Sequence, residues 1–412
     1  MSITQRSGKK TASGWALDSS CFHTTVKEMK RQNPVSSTQT PLPVTRHPVT
    51  NACYRESKSR PFIIPIFLPH AGCPHQCVFC NQTAITGVRR NIPSPEALRG
   101  QINNFLNYKG KQRKTVQVAF YGGNFLGQPK KDIECLLYEA NKFITAGKVD
   151  SIRFSTRPDT VDNERLDMLN GLPVSTVELG VQSMDDQVLA LAKRGHTASD
   201  TERAVHRLKK RNYEIGLQLM VGLPGDDEIR SLATGRRVAD LSPDFVRIYP
   251  TLVLSNSQLA KWYEKGKYIP LSLEAGVAAT KKLYLLFAHE NIRIIRMGLQ
   301  ISADLEKGTT ILAGPYHPAF GHLVFSDIFL DRATSILKSE IIHTDTVSIN
   351  VHPRSISKMQ GLKNRNIEIL KRNFHLKSIR IVPDVSLGED QLALGSHFSL
   401  PGLCQSWRKL NE

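Results

Sequence analysis

The chain has 412 residues, of which 40% are apolar and 22% are charged. This composition is that of an ordinary globular protein, and it excludes collagen-like, coiled-coil and wholly disordered chains. Seven Cys are too few for a disulfide scaffold of this length. Since no apolar run approaches the roughly 18 residues that span a bilayer, we expect no membrane segment.

The formal net charge of +18 is unevenly distributed. Residues 1–60 contain ten Lys and Arg against three acidic residues, and residues 353–380 contain eight Lys and Arg against one Glu. Basic blocks of this kind favour an anionic partner, and nucleic acid is the usual one. A merely solvated surface is the alternative.

Residues 1–60 lack hydrophobic periodicity and are rich in Ser, Thr, Pro and basic residues, so we predict a disordered basic tail. Acidic residues are scarce there, as in organellar transit peptides, but no amphipathic Arg-rich helix accompanies them. Three interpretations of these residues stay open: a targeting segment, an over-called start codon and a flexible tail. We predict a second tail over residues 396–412.

From residue 61, short apolar or β-branched runs alternate with helical stretches. The predicted strands are 62–67, 116–121, 151–156, 174–181, 214–221, 244–249 and 292–297. Ser94, Pro129 and Ser272 have the residue types that begin helices between them. This alternation predicts an α/β fold, a partial (β/α) TIM-like barrel over residues 61–300.

The alternation fades after about residue 300. An apolar run at 324–330, an alternating segment at 346–351, a basic helix near 364–373 and a strand at 378–382 follow. We predict a small α+β C-terminal domain over residues 301–395.

Cys73, Cys77 and Cys80 have the spacing CxxxCxxC directly after the first predicted strand, where barrels place their active sites. Three thiols on one tight loop indicate a metal site. A structural zinc would need a fourth ligand, for which His70 and His75 are available. A 4Fe–4S cluster with three protein ligands would leave one iron open for a chelating substrate or cofactor.

This spacing, with Phe79 before the last Cys, resembles the cluster loop of the radical S-adenosylmethionine (SAM) superfamily. The resemblance implies that the amino and carboxylate groups of SAM chelate the open iron. It further implies that an electron from the reduced cluster cleaves SAM to methionine and a 5′-deoxyadenosyl radical. It covers roughly residues 61–300, and it implies a barrel of the radical SAM type.

Other segments match this family in the expected order, at the ends of the second to fifth strands. The resemblance implies that SAM is bound or surrounded by Phe79, Gly122, Gly123, Asn124, Ser155, Arg157, Glu178, Gln182, Arg194 and Gln218. Two consecutive glycines permit close backbone approach, and the Arg194 guanidinium suits the SAM carboxylate. Ser155 departs from the pattern, because many relatives have a carboxylate there for the SAM ribose.

Three phrases, at 69–75, 156–159 and 178–183, resemble the Elongator catalytic subunit and the oxygen-independent coproporphyrinogen oxidase. The gap between the first two cluster Cys is shorter than in the Elongator subunit, and the chain after residue 300 leaves little room for its acetyltransferase domain. Gln82 stands where the coproporphyrinogen enzyme has a fourth Cys. These departures favour a stand-alone bacterial branch.

Residues 359–370 loosely resemble the loop and helix of a KH module, which holds the nucleic-acid backbone with a GxxG loop. Gly361 matches the first Gly of that loop, whereas Asn364 replaces the second. The alternative is a basic exposed helix with Ile367 and Leu370 packed inward.

Together these features predict a radical SAM enzyme that abstracts hydrogen from an RNA, above all a tRNA base. The alternatives are a radical SAM enzyme for a porphyrin-like or other anionic small molecule, and a non-enzymatic Fe–S or haem carrier. Tyr249 and His317 are candidate catalytic residues near the barrel mouth. We expect a reductant such as ferredoxin or flavodoxin as partner, and a cytoplasmic location because the cluster requires a reducing environment.

Overall fold

The computed structural model describes residues 61–74, 76–86, 92–108, 115–299, 310–340 and 344–395. The predicted tails, 1–60 and 396–412, lie outside the described residues, as does His75. The predicted domain boundary near residue 300 falls in 300–309, which also lies outside them, so the domain division stays a prediction.

The described residues contain twelve strands. They are β1 (Phe62–Phe67), β2 (Val116–Tyr121), β3 (Ser151–Thr156), β4 (Val174–Gln182), β5 (Glu214–Val221), β6 (Phe245–Pro250), β7 (Val253–Leu254), β8 (Arg293–Met297), β9 (Ile311–Ala313), β10 (Thr346–Val351), β11 (Ser378–Pro383) and β12 (Leu392–Leu394). β1 to β6 and β8 form one parallel sheet in chain order. All seven predicted strands are confirmed, and the sheet curls into the predicted partial barrel.

Helices connect these strands. They are α1 (Gln82–Thr86), α2 (Pro95–Asn107), α3 (Lys130–Thr145), α4 (Asn163–Asp167), α5 (Asp186–Leu191), α6 (Ala198–Lys210), α7 (Glu228–Asp240), α8 (Gln258–Glu264), α9 (Leu273–His289), α10 (Phe320–Ser339), α11 (Ile356–Gln360) and α12 (Arg365–Phe374). The Ser94 and Ser272 hydroxyls accept hydrogen bonds from the first turns of α2 and α9, and α3 begins directly after Pro129, as predicted. Within the described part of the chain, no helix has the length and apolar character needed to span a membrane.

Side chains alternate across the barrel sheet. Val177 and Leu179 of β4 join the main apolar core, together with Leu98 of α2 and Leu136 of α3. Glu178, between them, points to the opposite, inner face, which we call the lumen. Because all seven strands are parallel, their carboxyl ends meet at one edge, where the cysteine loop that follows β1, Gly122, Gln182 and Tyr249 lie.

The C-terminal region has its own sheet in the order β11, β10, β12, with β10 parallel to β11 and antiparallel to β12. The apolar run at 324–330 belongs to α10, which packs against α9 of the barrel and against α11 and α12. A separate apolar core forms between these helices and the sheet. The two predicted strands and the basic helix of this region are confirmed.

Candidate active site

The loop after β1 carries the three cysteines of the CxxxCxxC motif. Cys77 is buried, while Cys73 and Cys80 are half-buried. Loss of hydration raises the pKa of Cys80 to about 12, and the neighbouring Cys77 and Cys73 thiols contribute to this rise. Among the described residues, no three His, Cys, Asp or Glu side chains are already arranged to hold a metal ion. The thiols therefore share one loop without a preformed ligand geometry.

Arg194 connects this loop to β4. Its Nη1 donates to the Cys77 Sγ at 2.9 Å, and its Nη2 donates to the Gly180 carbonyl at 2.5 Å. The side chain is buried, and its Nε has no hydrogen-bond partner within the described ranges. Sequence reasoning placed Arg194 near SAM but did not anticipate its contact with Cys77.

The turn after β2 is fastened to the cysteine loop. A Cβ at Gly123 would lie 2.5 Å from the Leu68 carbonyl oxygen and 2.6 Å from that of Ala71, so only glycine fits. The Asn124 side chain is buried and donates to the Gly72 carbonyl at 2.9 Å. Gly122 has a φ of +88°, which glycine adopts without strain. The two loops thus form one close-packed cradle.

Arg157 supports the same cradle from the end of β3. It is buried and forms two hydrogen bonds to Asp159, at 2.9 and 3.0 Å. Its Nη2 also donates to the main-chain carbonyl of Arg194. Its Nε and Nη2 therefore hold Asp159 and the Arg194 main chain, whereas its buried Nη1 has no hydrogen-bond partner among the described residues.

A bulge changes the end of β4. The register with β5 shifts between Gly180 and Gln182, and Gln182 has a φ of +69°. The simple alternation predicted for Glu178, Gly180 and Gln182 is interrupted there. The Gln218 Nε2 nevertheless lies 3.4 Å from the Gln182 Oε1, so the structure brings these two predicted residues together. Ser155 lies beside Glu178 in the sheet, and Phe79 packs in an apolar cluster next to the cysteine loop.

The Glu178 carboxylate is bound by side chains of the protein itself. It is 4% exposed, and its Oε1 accepts hydrogen bonds from Tyr121 Oη at 2.9 Å, Arg153 Nη2 at 2.7 Å and Arg247 Nη2 at 3.0 Å. Sequence reasoning missed this network. The available signal was Arg153 in β3 and Arg247 in β6, since each places a charged residue at an inward position of a barrel strand.

The two candidate catalytic residues occupy different surroundings. The Tyr249 hydroxyl accepts a 3.4 Å hydrogen bond from Arg247 Nη1, so Tyr249 adjoins the lumen network. The His317 Nδ1 accepts a 3.0 Å hydrogen bond from the Ala319 amide in the turn before α10. That contact gives His317 a local capping role, and its catalytic role stays a prediction.

His196, two residues after Arg194, provides a pH test of this packing. Burial, aided by the charges of Arg194 and Arg157, lowers its pKa from 6.5 to about 3. Between pH 6.5 and 3 the unfolded chain binds a proton at His196 and the folded chain does not. The contribution of His196 to stability is therefore complete above pH 6.5 and is lost progressively as the pH falls towards 3. We expect the site to contribute about 1.4 kcal/mol per pH unit in that window.

The measurement is the free energy of unfolding in urea between pH 7 and 5. His196→Gln should make its pH dependence shallower, by an amount that approaches about 1.4 kcal/mol per pH unit below about pH 6. His289→Gln, at an exposed position, should not. Equal slopes for wild type and His196→Gln would contradict this account.

Comparisons with known proteins agree with the geometry. Residues 67–233 match the model of the Radical SAM superfamily, and residues 243–328 match that of the Radical_SAM C-terminal domain. A tRNA uridine(34) acetyltransferase of Dehalococcoides mccartyi is 28% identical over 235 residues, which cover 48% of this chain and 50% of that protein. An uncharacterised protein of Methanocaldococcus jannaschii is 30% identical over 228 residues, covering 52% and 68%.

Among solved structures, Elp3 of Methanocaldococcus infernus superimposes with a TM-score of 0.52 and 22% identity, covering 66% of this chain and 63% of that one. At this identity the likeness shows the fold alone. The chain spans about half the length of the tRNA acetyltransferases it matches.

Proposed function

This chain belongs to the radical SAM superfamily and is an enzyme of that type, and we propose that it modifies a base of tRNA. Membership implies a 4Fe–4S cluster and SAM. When bound, this pair supplies a 5′-deoxyadenosyl radical that abstracts hydrogen from a substrate. The reducing conditions that such a cluster needs favour the cytoplasm and a ferredoxin or flavodoxin as electron donor.

The residues present fit this pair of cofactors. Cys73, Cys77 and Cys80 offer three thiol ligands, which suit an iron–sulfur cluster. The His70 Nε2 accepts a 3.1 Å hydrogen bond from the Gln82 backbone amide, so this nitrogen is already used and does not serve as a fourth zinc ligand. The Arg194 Nε is buried beside the thiols and has no hydrogen-bond partner in the described part of the chain, so it provides a donor for an anionic group.

The backbone also suits a cofactor at this edge. Gly122 is half-buried and leaves room where a Cβ would stand, whereas Gly123 allows the cysteine loop to pack closely against this turn. The amide groups of Gln182 and Gln218 lie 3.4 Å apart at the neighbouring strands. We propose that these residues, with Arg194, orient SAM. Asn124 would act indirectly, by fixing the cradle, since its amide group is hydrogen-bonded within the protein. Arg157 would fix the cradle through Nε and Nη2, and its buried Nη1, without a partner among the described residues, is a second donor for an anionic group.

The turn between α11 and α12 is the observation that supports RNA as the substrate. Lys363 and Arg365 are exposed, and neither forms an ion pair in the part of the chain that the structure describes. Gly361, Lys363 and Asn364 have positive φ values of 73°, 51° and 61°. Asn tolerates this conformation, so Asn364 can replace the second glycine of a GxxG loop. The turn therefore presents two exposed cations on a tight loop between two helices, although Arg365 is close enough to Glu274 of α9 to lower the pKa of that carboxyl. A tight loop of this kind before a helix is how a KH module holds the RNA backbone.

The names of the relatives support the same substrate class. Several are called tRNA uridine(34) acetyltransferases, although this chain matches only about half of their length. We therefore propose tRNA as the substrate and leave the product open. A porphyrin-like or other anionic small molecule is the alternative substrate.

The test is tRNA binding by fluorescence anisotropy at several salt concentrations. We expect Lys363→Glu/Arg365→Glu to weaken binding about 10- to 100-fold and to reduce the slope of log affinity against log salt by about 1.5. The matched control is Lys209→Glu/Lys210→Glu, which makes the same charge change on the exposed end of α6. An equal loss in both variants would indicate unspecific attraction, and no loss in the first would reject this turn as the RNA contact.

A further inference from the structure

Counted over the residues that the structure describes, the lumen holds more cations than carboxylates. Arg153 and Arg247 share the single carboxylate of Glu178, which accepts hydrogen bonds from both guanidinium groups. Lower in the lumen, Arg293 and Glu214 form a separate pair at 3.0 Å. The two carboxylates are thus already used by three Arg side chains.

Arg296 is a fourth lumen cation. It is the register partner of Arg247, and neighbouring register partners in a parallel pair point to the same face. The register shifts by one residue just before this pair, so Ile295 is displaced to a position where it is 43% exposed and Arg296 returns to the lumen face. Arg296 is half-buried, and among the described residues it has no hydrogen-bond or ion-pair partner.

Further donors lie beside Arg296. The Arg247 side chain is only 15% exposed, and its Nε lies 2.7 Å from the Glu178 Oε2, which holds the guanidinium in place. The Tyr249 hydroxyl accepts a hydrogen bond from Arg247 Nη1, so its own proton remains available for another acceptor. Burial and the adjacent Glu178 raise the pKa of Tyr121, which therefore stays a neutral phenol and does not balance the excess charge.

We propose that Arg296, Arg247 and Tyr249 form an oxyanion-binding site in the lumen, which holds a phosphate or carboxylate group of the substrate. Within the described ranges no carboxylate compensates Arg296, and such a charge in a half-buried space is unfavourable. An anion that accepts hydrogen bonds from a guanidinium pair removes that cost. The identity of the bound anion rests on the proposed function. With tRNA as the substrate, the anion is a phosphate of the modified nucleotide. With a small metabolite, it is a carboxylate.

The experiment is calorimetric titration of the full chain with inorganic phosphate and, separately, with malonate. We expect phosphate to bind more tightly than malonate. Arg296→Gln should weaken phosphate binding about tenfold or more, because a hydrogen bond to a charged group is worth about 1.5–3 kcal/mol. Arg296→Lys should retain part of the affinity, since it keeps the charge but loses the planar fork.

The matched control is Arg293→Gln, which removes the same charge from the same strand at an exposed ion pair. It should change phosphate affinity less than twofold. Equal losses in Arg293→Gln and Arg296→Gln, or an unchanged affinity in Arg296→Gln, would overturn the proposal. Failure of the wild-type chain to bind either anion would also overturn it, and tighter binding of malonate would reject the nucleotide phosphate as the occupant.

This test is separate from that of the RNA substrate, which uses the distant turn between α11 and α12. Phosphate binding without tRNA binding would reject the proposed function and retain the lumen site. Binding of tRNA without phosphate binding would reject the lumen site alone.

Discussion

Anaerobically reconstituted wild-type protein is expected to form 5′-deoxyadenosine from SAM after reduction, whereas Cys73→Ala/Cys77→Ala/Cys80→Ala is expected to form none above background. The reason is that these three thiols are the proposed protein ligands of the cluster. The measurement is chromatographic detection of 5′-deoxyadenosine, together with the iron, sulfide and zinc content. Cys135→Ala, which removes an exposed thiol from α3, should retain wild-type values.

Each other result has a definite meaning. Zinc in place of iron would overturn the cluster assignment. A cluster that supports no SAM cleavage, even with tRNA or a small anionic substrate present, would favour the carrier protein over the enzyme. Cleavage that begins only when tRNA is added would support both the radical chemistry and the proposed substrate.

The strands of the barrel were predictable because each is a short apolar run bounded by its own local signals. The Ser94 and Ser272 caps, for example, depend only on residues three positions away. Sequence reasoning missed β7, β9 and β12, which have two, three and three residues. Strands this short give no detectable period-two pattern. β12 forms only by pairing with β10, a contact that no local pattern encodes.

The site was predictable where it depends on a local motif and not where it depends on register. The cysteine loop and the two glycines follow from adjacent residues. The contact of Arg194 with Cys77 joins positions 117 residues apart, and it requires β4 to lie beside the cysteine loop. Alternation indicates that Glu178 points inward, but it does not indicate that Arg153 and Arg247 meet it there.

Glu178→Gln is expected to lower the free energy of unfolding by about 3–5 kcal/mol. Glu178 is the carboxylate shared by Arg153 and Arg247, and the Gln side chain keeps its size while removing its charge. Two buried guanidinium groups would then face a neutral amide, which leaves them uncompensated. Urea unfolding of the cluster-free protein, followed by circular dichroism, measures the change.

Two further variants separate charge from shape. Glu214→Gln removes a carboxylate whose partner, Arg293, is largely exposed, and its cost should stay below about 1 kcal/mol. Adding Arg153→Met to Glu178→Gln should recover part of the loss, because one uncompensated cation disappears. A loss below about 1 kcal/mol for Glu178→Gln itself would mean that the lumen charges are balanced without this carboxylate, and the excess of cations inferred there would then be wrong.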